Sequence, residues 1–446
     1  MKLSVYQKWQ IVIFVISYLC IVARHAGLEG WFMVKSDVND DLGFSTTWLG
    51  AMDSTYLFCY ATGNYISGIL GDSFPIRIVV PIGMALGSFC YVIIAILGFS
   101  NYDNPWLFVI IFGAIGLTLS TVWPGTVSLM GRWYSSKHTG KVLGLWSSNS
   151  QVGNILGAQI ASIILSVINA SWEVVTITTT IFLISIAMIF LTLAKENPNP
   201  EWLLEESQAF YEIKDQAPSN QEKKSISFLQ AWMLPRVAIY AFTYACVKLL
   251  NMSLVMWLPF FLDKQIHVDK SLIGTIANLY DIGGLVGGFA FGWVTDKMGF
   301  RAPALCLMLI GGLPIFGIIQ LMNSDIWWIF FFITFLLGTL IASSDNLISG
   351  AVATDLGRSD SSLGNNENVI ATVAGIIDGT GALGAASGQI FIGYLAGFSW
   401  AYVFIFMLCV NCCAVMLLMK FAIKDTKTIR AERKKNKNSI STKQGE

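Results

Sequence analysis

Twelve apolar runs, each near the roughly 20 residues a helix needs to cross a bilayer, divide this chain of 446 residues. They start near Trp9, Thr47, Ile78, Pro105, Thr139 and Ser171, then near Arg236, Ser271, Ala302, Ile326, Asn368 and Trp400. A polar stretch rich in Glu, Lys, Asn and Pro, Lys195 to Gln230, separates the sixth run from the seventh. The pattern predicts an all-α integral membrane protein with six spans on either side of a linker. The halves run 1–194 and 236–422, with the linker at 195–235 and a basic tail at 423–446. Charged residues make up 13% of the chain, about half the share usual in soluble domains. So few charges cannot cover a globular surface, which argues against a soluble enzyme, a nucleic-acid-binding module or a disordered chain.

Other chemistry is thinly represented. The eight cysteines all fall in apolar runs, which predicts buried thiols and no disulfide framework. Three histidines, none beside cysteines at ligand spacing, predict no metal site. No cofactor is expected, and the lack of a phosphate-cradling GxxxxGK[ST] loop disfavours ATP-driven pumping. The first run is too long for a cleaved signal peptide and is expected to remain as a span.

Charge placement gives an orientation. On one side of the predicted spans the loops hold only Lys35, Lys264 and Lys270 among the 28 basic residues. Arg24 and Lys248 lie inside spans, and all the others fall on the opposite side. Positive charge is retained in the cytosol, so both termini are expected there.

The two halves also repeat. Gly68, Asp72 and Arg77 follow the second run; Gly292, Asp296 and Arg301 follow the eighth, each 224 residues later. Gly50 and Gly274 share that offset, and so do Arg24 and Lys248. Gly144, Gly153 and Gly157 pair with Gly375, Gly384 and Gly388 at an offset of 231. In the G-x-x-x-D-x-x-x-x-R pattern, glycine permits close approach of two helix ends. The acidic and basic residues then meet in a short cytosolic turn and latch one state. Ordinary loop charge is the alternative, and the repeat weighs against it. The pattern resembles the cytoplasmic loop signature of the major facilitator superfamily, and its double occurrence makes the resemblance specific.

Arg24 and Lys248 stand near the middles of spans one and seven. A charge there costs at least about 2.5–3.5 kcal/mol on insertion scales. Each is roughly 20 Å from the cytosolic helix end at 1.5 Å per residue, too far to snorkel. One explanation is a structural ion pair with Asp53, Asp281 or Asp378. The other is anion binding: two cations at matched depth suit a divalent anion, phosphate above all. Tyr244 and Asn251 share a helical face with Lys248 and either contact the substrate or pack the helices.

The chain is further similar to the organophosphate:phosphate antiporters of that superfamily, in the eukaryotic sugar-phosphate exchanger branch related to the glucose-6-phosphate translocase. The residues carrying this are Trp123-Pro-Gly125 through Gly157, Lys248 through Trp257-Leu-Pro259, Asp281-Ile-Gly-Gly284 and Ile377-Asp-Gly-Thr-Gly381. Gly140, Trp146, Ser150 and Gly153 fit the antiporter signature; Thr139, Ser147, Gln151 and Asn154 depart from it. The resemblance implies a twelve-helix fold in two pseudo-symmetric halves, and exchange of a sugar phosphate for inorganic phosphate by alternating access. It implies that Arg24 and Lys248 bind the phosphoryl group, as a basic residue from each half does in the family. It also implies residence in the endoplasmic reticulum rather than the plasma membrane. Asn149 stands where relatives often carry His.

His25, Asn149, Tyr244 and Asn251 are the candidate substrate contacts, with packing as the other reading of each. Asp53, Asp281 and Asp378 are candidates for ion pairing or proton coupling; Asp345 and Glu29 lie nearer span ends. Asn169-Ala-Ser171 forms a glycosylation sequon close to span six. The expected partners are small anionic substrates and membrane lipid, with no nucleic acid, and a monomer is expected. Two other functions fit the residues: a proton-coupled organic-anion symporter using one of the three aspartates, and a sugar-phosphate sensor without flux.

Overall fold

The computed structural model describes residues 4–134, 145–199, 228–234, 236–320, 324–352 and 367–443, with residues 142, 202, 322 and 356. Described residues in regular structure are helical, and none forms a strand. The first half contributes α1 (Val5–Leu42), α2 (Thr46–Ser73), α3 (Ile76–Phe99), α4 (Pro105–Leu119), α5 (Val122–Trp133), α6 (Asn149–Ser162) and α7 (Trp172–Leu193). The second contributes α8 (Val237–Lys264), α9 (Lys270–Met298), α10 (Ala302–Ile319), α11 (Phe330–Leu337), α12 (Glu367–Ala396) and α13 (Trp400–Lys443).

Local sequence explains the boundaries. Ser4 and Gln7 form a reciprocal capping box at the start of α1, and Gly43, at φ 68°, ends it in the left-handed region. Asn104 caps α4 ahead of Pro105, whose missing N–H is harmless at a first helical position. Among the described residues, ten helical segments are long and apolar enough to cross a membrane. Helices α4 and α5 together form one of them, Pro105–Trp133. Helices α2 and α12, of 28 and 30 residues, stand at the second and eleventh expected positions. Helix α13 runs 44 residues, so the basic tail continues the last span as helix.

Contacts divide the chain into two compact units. Unit 1 comprises Met1–Glu222 with Val255–Asn278 and Gln389–Gly397; unit 2 comprises Lys223–Leu254, Leu279–Gly388 and Phe398–Glu446. In unit 1, α1 packs on α6 and α7, α2 on α4, and α3 on α7. In unit 2, α10 packs on α13. Arg236, at the head of α8, grips Asp425 of α13 through two bonds of 3.0 and 2.9 Å. The pair ties the first and last helices of the second half together. All eight cysteines are free; Cys20 and Cys306 are buried, whereas Cys409 and Cys413 are exposed on the last apolar span, contrary to the expectation of burial.

Candidate functional site

The repeated glycines set the two cation-bearing helices in place. A Cβ at Gly153 would lie 2.7 Å from the carbonyl oxygen of Val22, and one at Gly384 would lie 2.7 Å from that of Ala245. Gly157 and Gly388 sit likewise against Ala26 and Leu249. Each half therefore uses the same device: small residues let α6 lie flush on α1 beside Arg24, and α12 lie flush on α8 beside Lys248. Gly144 lies outside the described residues, and a Cβ at Gly375 would meet nothing within 4 Å among them.

Arg24 is 6% exposed in the middle of α1. Its Nη1 donates to the Tyr60 hydroxyl at 2.8 Å, and its guanidinium lies 4.6 Å from the centre of the same ring. Tyr56 and Tyr91 complete a tyrosine surround. Among the described residues no carboxylate comes within 4.0 Å of Arg24, and its Nε has no hydrogen-bond partner. The hydroxyls of Tyr56 and Tyr91 also lack partners there. A buried guanidinium with a spare donor and no counter-charge among the described residues is an unusual and costly arrangement.

Lys248 keeps different company in unit 2. Its Nζ lies 2.5 Å from Asp378 Oδ1, and 5.1 Å from the centre of the Tyr244 ring. Lys248 is 17% exposed and Asp378 53%, so the pair is open on the acidic side. The structural pairing expected for Asp378 is present at Lys248. Asn251, one turn along α8, accepts from the Tyr280 hydroxyl at 2.6 Å. Asp281 is buried on α9.

Asp53 pairs with neither expected cation. Its partner is Lys35, fully buried in α1, which also donates to the Met256 carbonyl at 3.1 Å. The Lys35 ammonium lies 4.3 Å from the centre of the Trp257 ring. Lys35 is thus no loop residue: α1 runs unbroken for 38 residues, and its far end is enclosed within unit 1. Lys264 and Lys270 pair with Asp40 and Asp37 at that same end.

The other predicted residues separate. His25 shares a hydrogen bond of 3.1 Å with Asn154, an α1–α6 contact. Asn149 is fully buried, and neither of its amide atoms has a partner among the described residues. Arg301 pairs with Asp296 at 3.1 Å, whereas Arg77 donates to the Leu191 carbonyl at 2.8 Å. The side chains of Gly68 and Asp72 lie outside the described set. Among the described residues, no atom comes within 4 Å of where a Cβ at Gly292 would stand. Gly140 and the middle of the linker lie outside the described residues. No group of three or more His, Cys, Asp or Glu among the described residues could hold a metal.

Sequence reasoning overlooked the Tyr56–Tyr60 pair, although its spacing puts both on one face of α2. It also placed Lys35 in a loop; the signal against this was the lack of any Gly or Pro between Trp31 and Gly43.

Comparison with known proteins places this geometry. The Major Facilitator Superfamily sequence model matches residues 12–366. Sugar phosphate exchanger 3 of Mus musculus is 32% identical over 419 residues, covering 85% of this chain and 81% of the relative. Glucose-6-phosphate exchanger SLC37A2 of Mus musculus is 30% identical, over 84% and 79%. Putative glycerol-3-phosphate transporter 2 of Arabidopsis thaliana is 26% identical, over 95% and 88%. Among solved structures, the nucleoside transporter NupG superposes with a TM-score of 0.68 at 13% identity, over 92% of this chain and 98% of that one. A bacterial homolog of the human lysosomal transporter Spinster, inward-facing and unoccupied, gives 0.68 at 13% identity, over 95% and 97%. These two share the fold. The chain belongs to the major facilitator superfamily, and is a multi-pass membrane transporter rather than an enzyme.

Proposed function

We propose that this protein exchanges a sugar phosphate, of the glucose 6-phosphate type, for inorganic phosphate by alternating access. Arg24 and Lys248, one cation from each half, hold the phosphoryl group common to both substrates. The observation that carries this reading is Arg24: buried mid-span, with an unpartnered Nε and no carboxylate within 4.0 Å among the described residues. A structural arginine would have a counter-charge. The relatives, named as exchangers of sugar phosphate and glucose 6-phosphate, support the substrate class.

The mechanism follows from charge. Phosphate displaces Asp378 from Lys248 and satisfies the spare donor of Arg24. The empty carrier holds uncompensated charge and resists occlusion, which makes exchange obligatory. Asn149, with both amide atoms unpartnered, and Tyr244, beside Lys248, are the sugar contacts. His25 and Asn251, each already bonded to Asn154 and Tyr280, are packing residues. Twelve crossings, cytosolic termini, a monomer surrounded by lipid and an endoplasmic reticulum location belong to the same reading.

The test is uptake of labelled phosphate into liposomes holding purified protein. Uptake that needs internal phosphate and is blocked by glucose 6-phosphate is expected. Uptake driven by a pH gradient alone, without internal phosphate, would replace the exchanger with the proton-coupled symporter.

A further inference from the structure

Asp345 lies in a short helical turn, Ser343–Asn346, between two π-helical stretches, Gly338–Ala342 and Leu347–Val352. Such wide turns recur at functional sites, because they re-aim one side chain within an otherwise regular helix. Asp345 is 8% exposed, and its Oδ1 has no hydrogen-bond partner among the described residues. A buried carboxylate oxygen without a donor is unfavourable if it carries charge.

The surroundings come from three other helices. From α8, the side chains of Tyr244 and Asn251 hydrogen-bond the Asp345 carboxyl group, leaving Oδ1 without a donor, and Lys248 lies within its field; from α12, Asp378 does so; from α9, Tyr280 lies within its field, next to Asp281. Helix α10 also packs near this turn and brings no charged side chain, only the thiol of Cys306. Two carboxylates, Asp345 and Asp378, therefore stand in the field of one ammonium, and Asp378 is the one bonded to it. With both ionised, the cluster repels the anion that Lys248 is there to bind. Asp378 is half-exposed and free to swing into water as the anion takes its place. Asp345 is enclosed and has no such exit.

Building on the exchanger reading, we infer that Asp345 is the coupling group: it takes up one proton from solvent on the entering side as phosphate docks on Lys248, and returns it when phosphate leaves. Only an O–H bond forms and breaks. The carboxyl group acts through Lys248, as a positioning residue, by removing a charge that would oppose binding.

The test compares phosphate:phosphate exchange of wild type, Asp345→Asn and Asp345→Glu in liposomes at equal internal and external pH. The range is about pH 5.5 to about pH 8, where one required proton changes a rate by at most about tenfold per pH unit. Titration of phosphate itself affects all three proteins alike, so the ratio of each variant to wild type is the readout. Wild type is expected to gain on Asp345→Asn as the proton becomes available, rising toward acid by up to about tenfold over the range. Asp345→Glu is expected to keep that dependence with its midpoint displaced. Ratios independent of pH for both variants would overturn the inference while leaving the exchanger reading intact. Wild-type protein without exchange at any pH would overturn the exchanger reading, and this inference with it.

Discussion

Arg24 and Lys248 occupy equivalent places in the two halves, yet their neighbours differ in kind. Arg24 is lined by tyrosines and carries a spare donor. Lys248 is already held by Asp378, with Asp345 behind. The supporting frame is similar on both sides, with glycines pressed against the cation-bearing helix within one turn of the cation. The backbone that places a cation has been kept in both halves, while the chemistry around the cation has diverged. On the exchanger reading, one half offers a preset guanidinium fork, and the other a charge that must first be released.

The shared frame gives the largest expected effect. Gly153→Leu and Gly384→Leu each drive a side chain into the facing helix, at about 1–3 kcal/mol for an overpacked core. Both are expected to lower the thermal midpoint of purified protein by similar amounts, and a large effect in only one half would break the symmetry. The exchanged cations come next. Arg24→Lys loses the fork and is expected to slow phosphate exchange about tenfold, the equivalent of about 1.4 kcal/mol. Lys248→Arg keeps a donor beside Asp378 and is expected to retain much of the rate. Equal losses would erase the contrast between fork and point charge.

Two smaller effects sharpen it. Tyr60→Phe deletes the hydroxyl that Arg24 bonds and is expected to weaken apparent phosphate affinity about fivefold, for a bond of about 1 kcal/mol. Asp378→Asn removes the competitor at Lys248 and is expected to strengthen apparent affinity about twofold to fivefold, in line with a part-exposed ion pair of up to about 1 kcal/mol. Weaker binding in Asp378→Asn would mean that this carboxylate supports the anion site rather than competing for it.

Much of this was legible in the sequence. Lipid solvation demands long apolar helices, so the positions of the spans follow from hydropathy. Charged residues in spans are rare enough that Arg24 and Lys248 stand out without a structure. The constant offset between the halves showed which glycines act alike, and Gly153 and Gly384 do so. What stayed hidden depends on residues far apart in the chain. Nothing near Arg24 in sequence announces that Tyr60 and Tyr91 close over it. Lys35 resembled a loop charge because a span of standard length ends before it, whereas α1 extends to Leu42. Its partner on the neighbouring helix, Asp53, therefore stood only among the three candidate partners for Arg24 and Lys248. Asp345 gained weight only once its burial and the π-helical turns around it were visible.

The central claim is that one phosphoryl group is held by both cations. Labelled phosphate exchange into phosphate-loaded liposomes, measured for Arg24→Gln and Lys248→Gln beside wild type at matched amounts of folded protein, tests it most directly. Both variants are expected to lose most of the exchange, with the Arg24 variant the lower of the two, since Asp378 already offsets part of the charge on Lys248. Exchange at the wild-type rate in either variant would contradict the shared site.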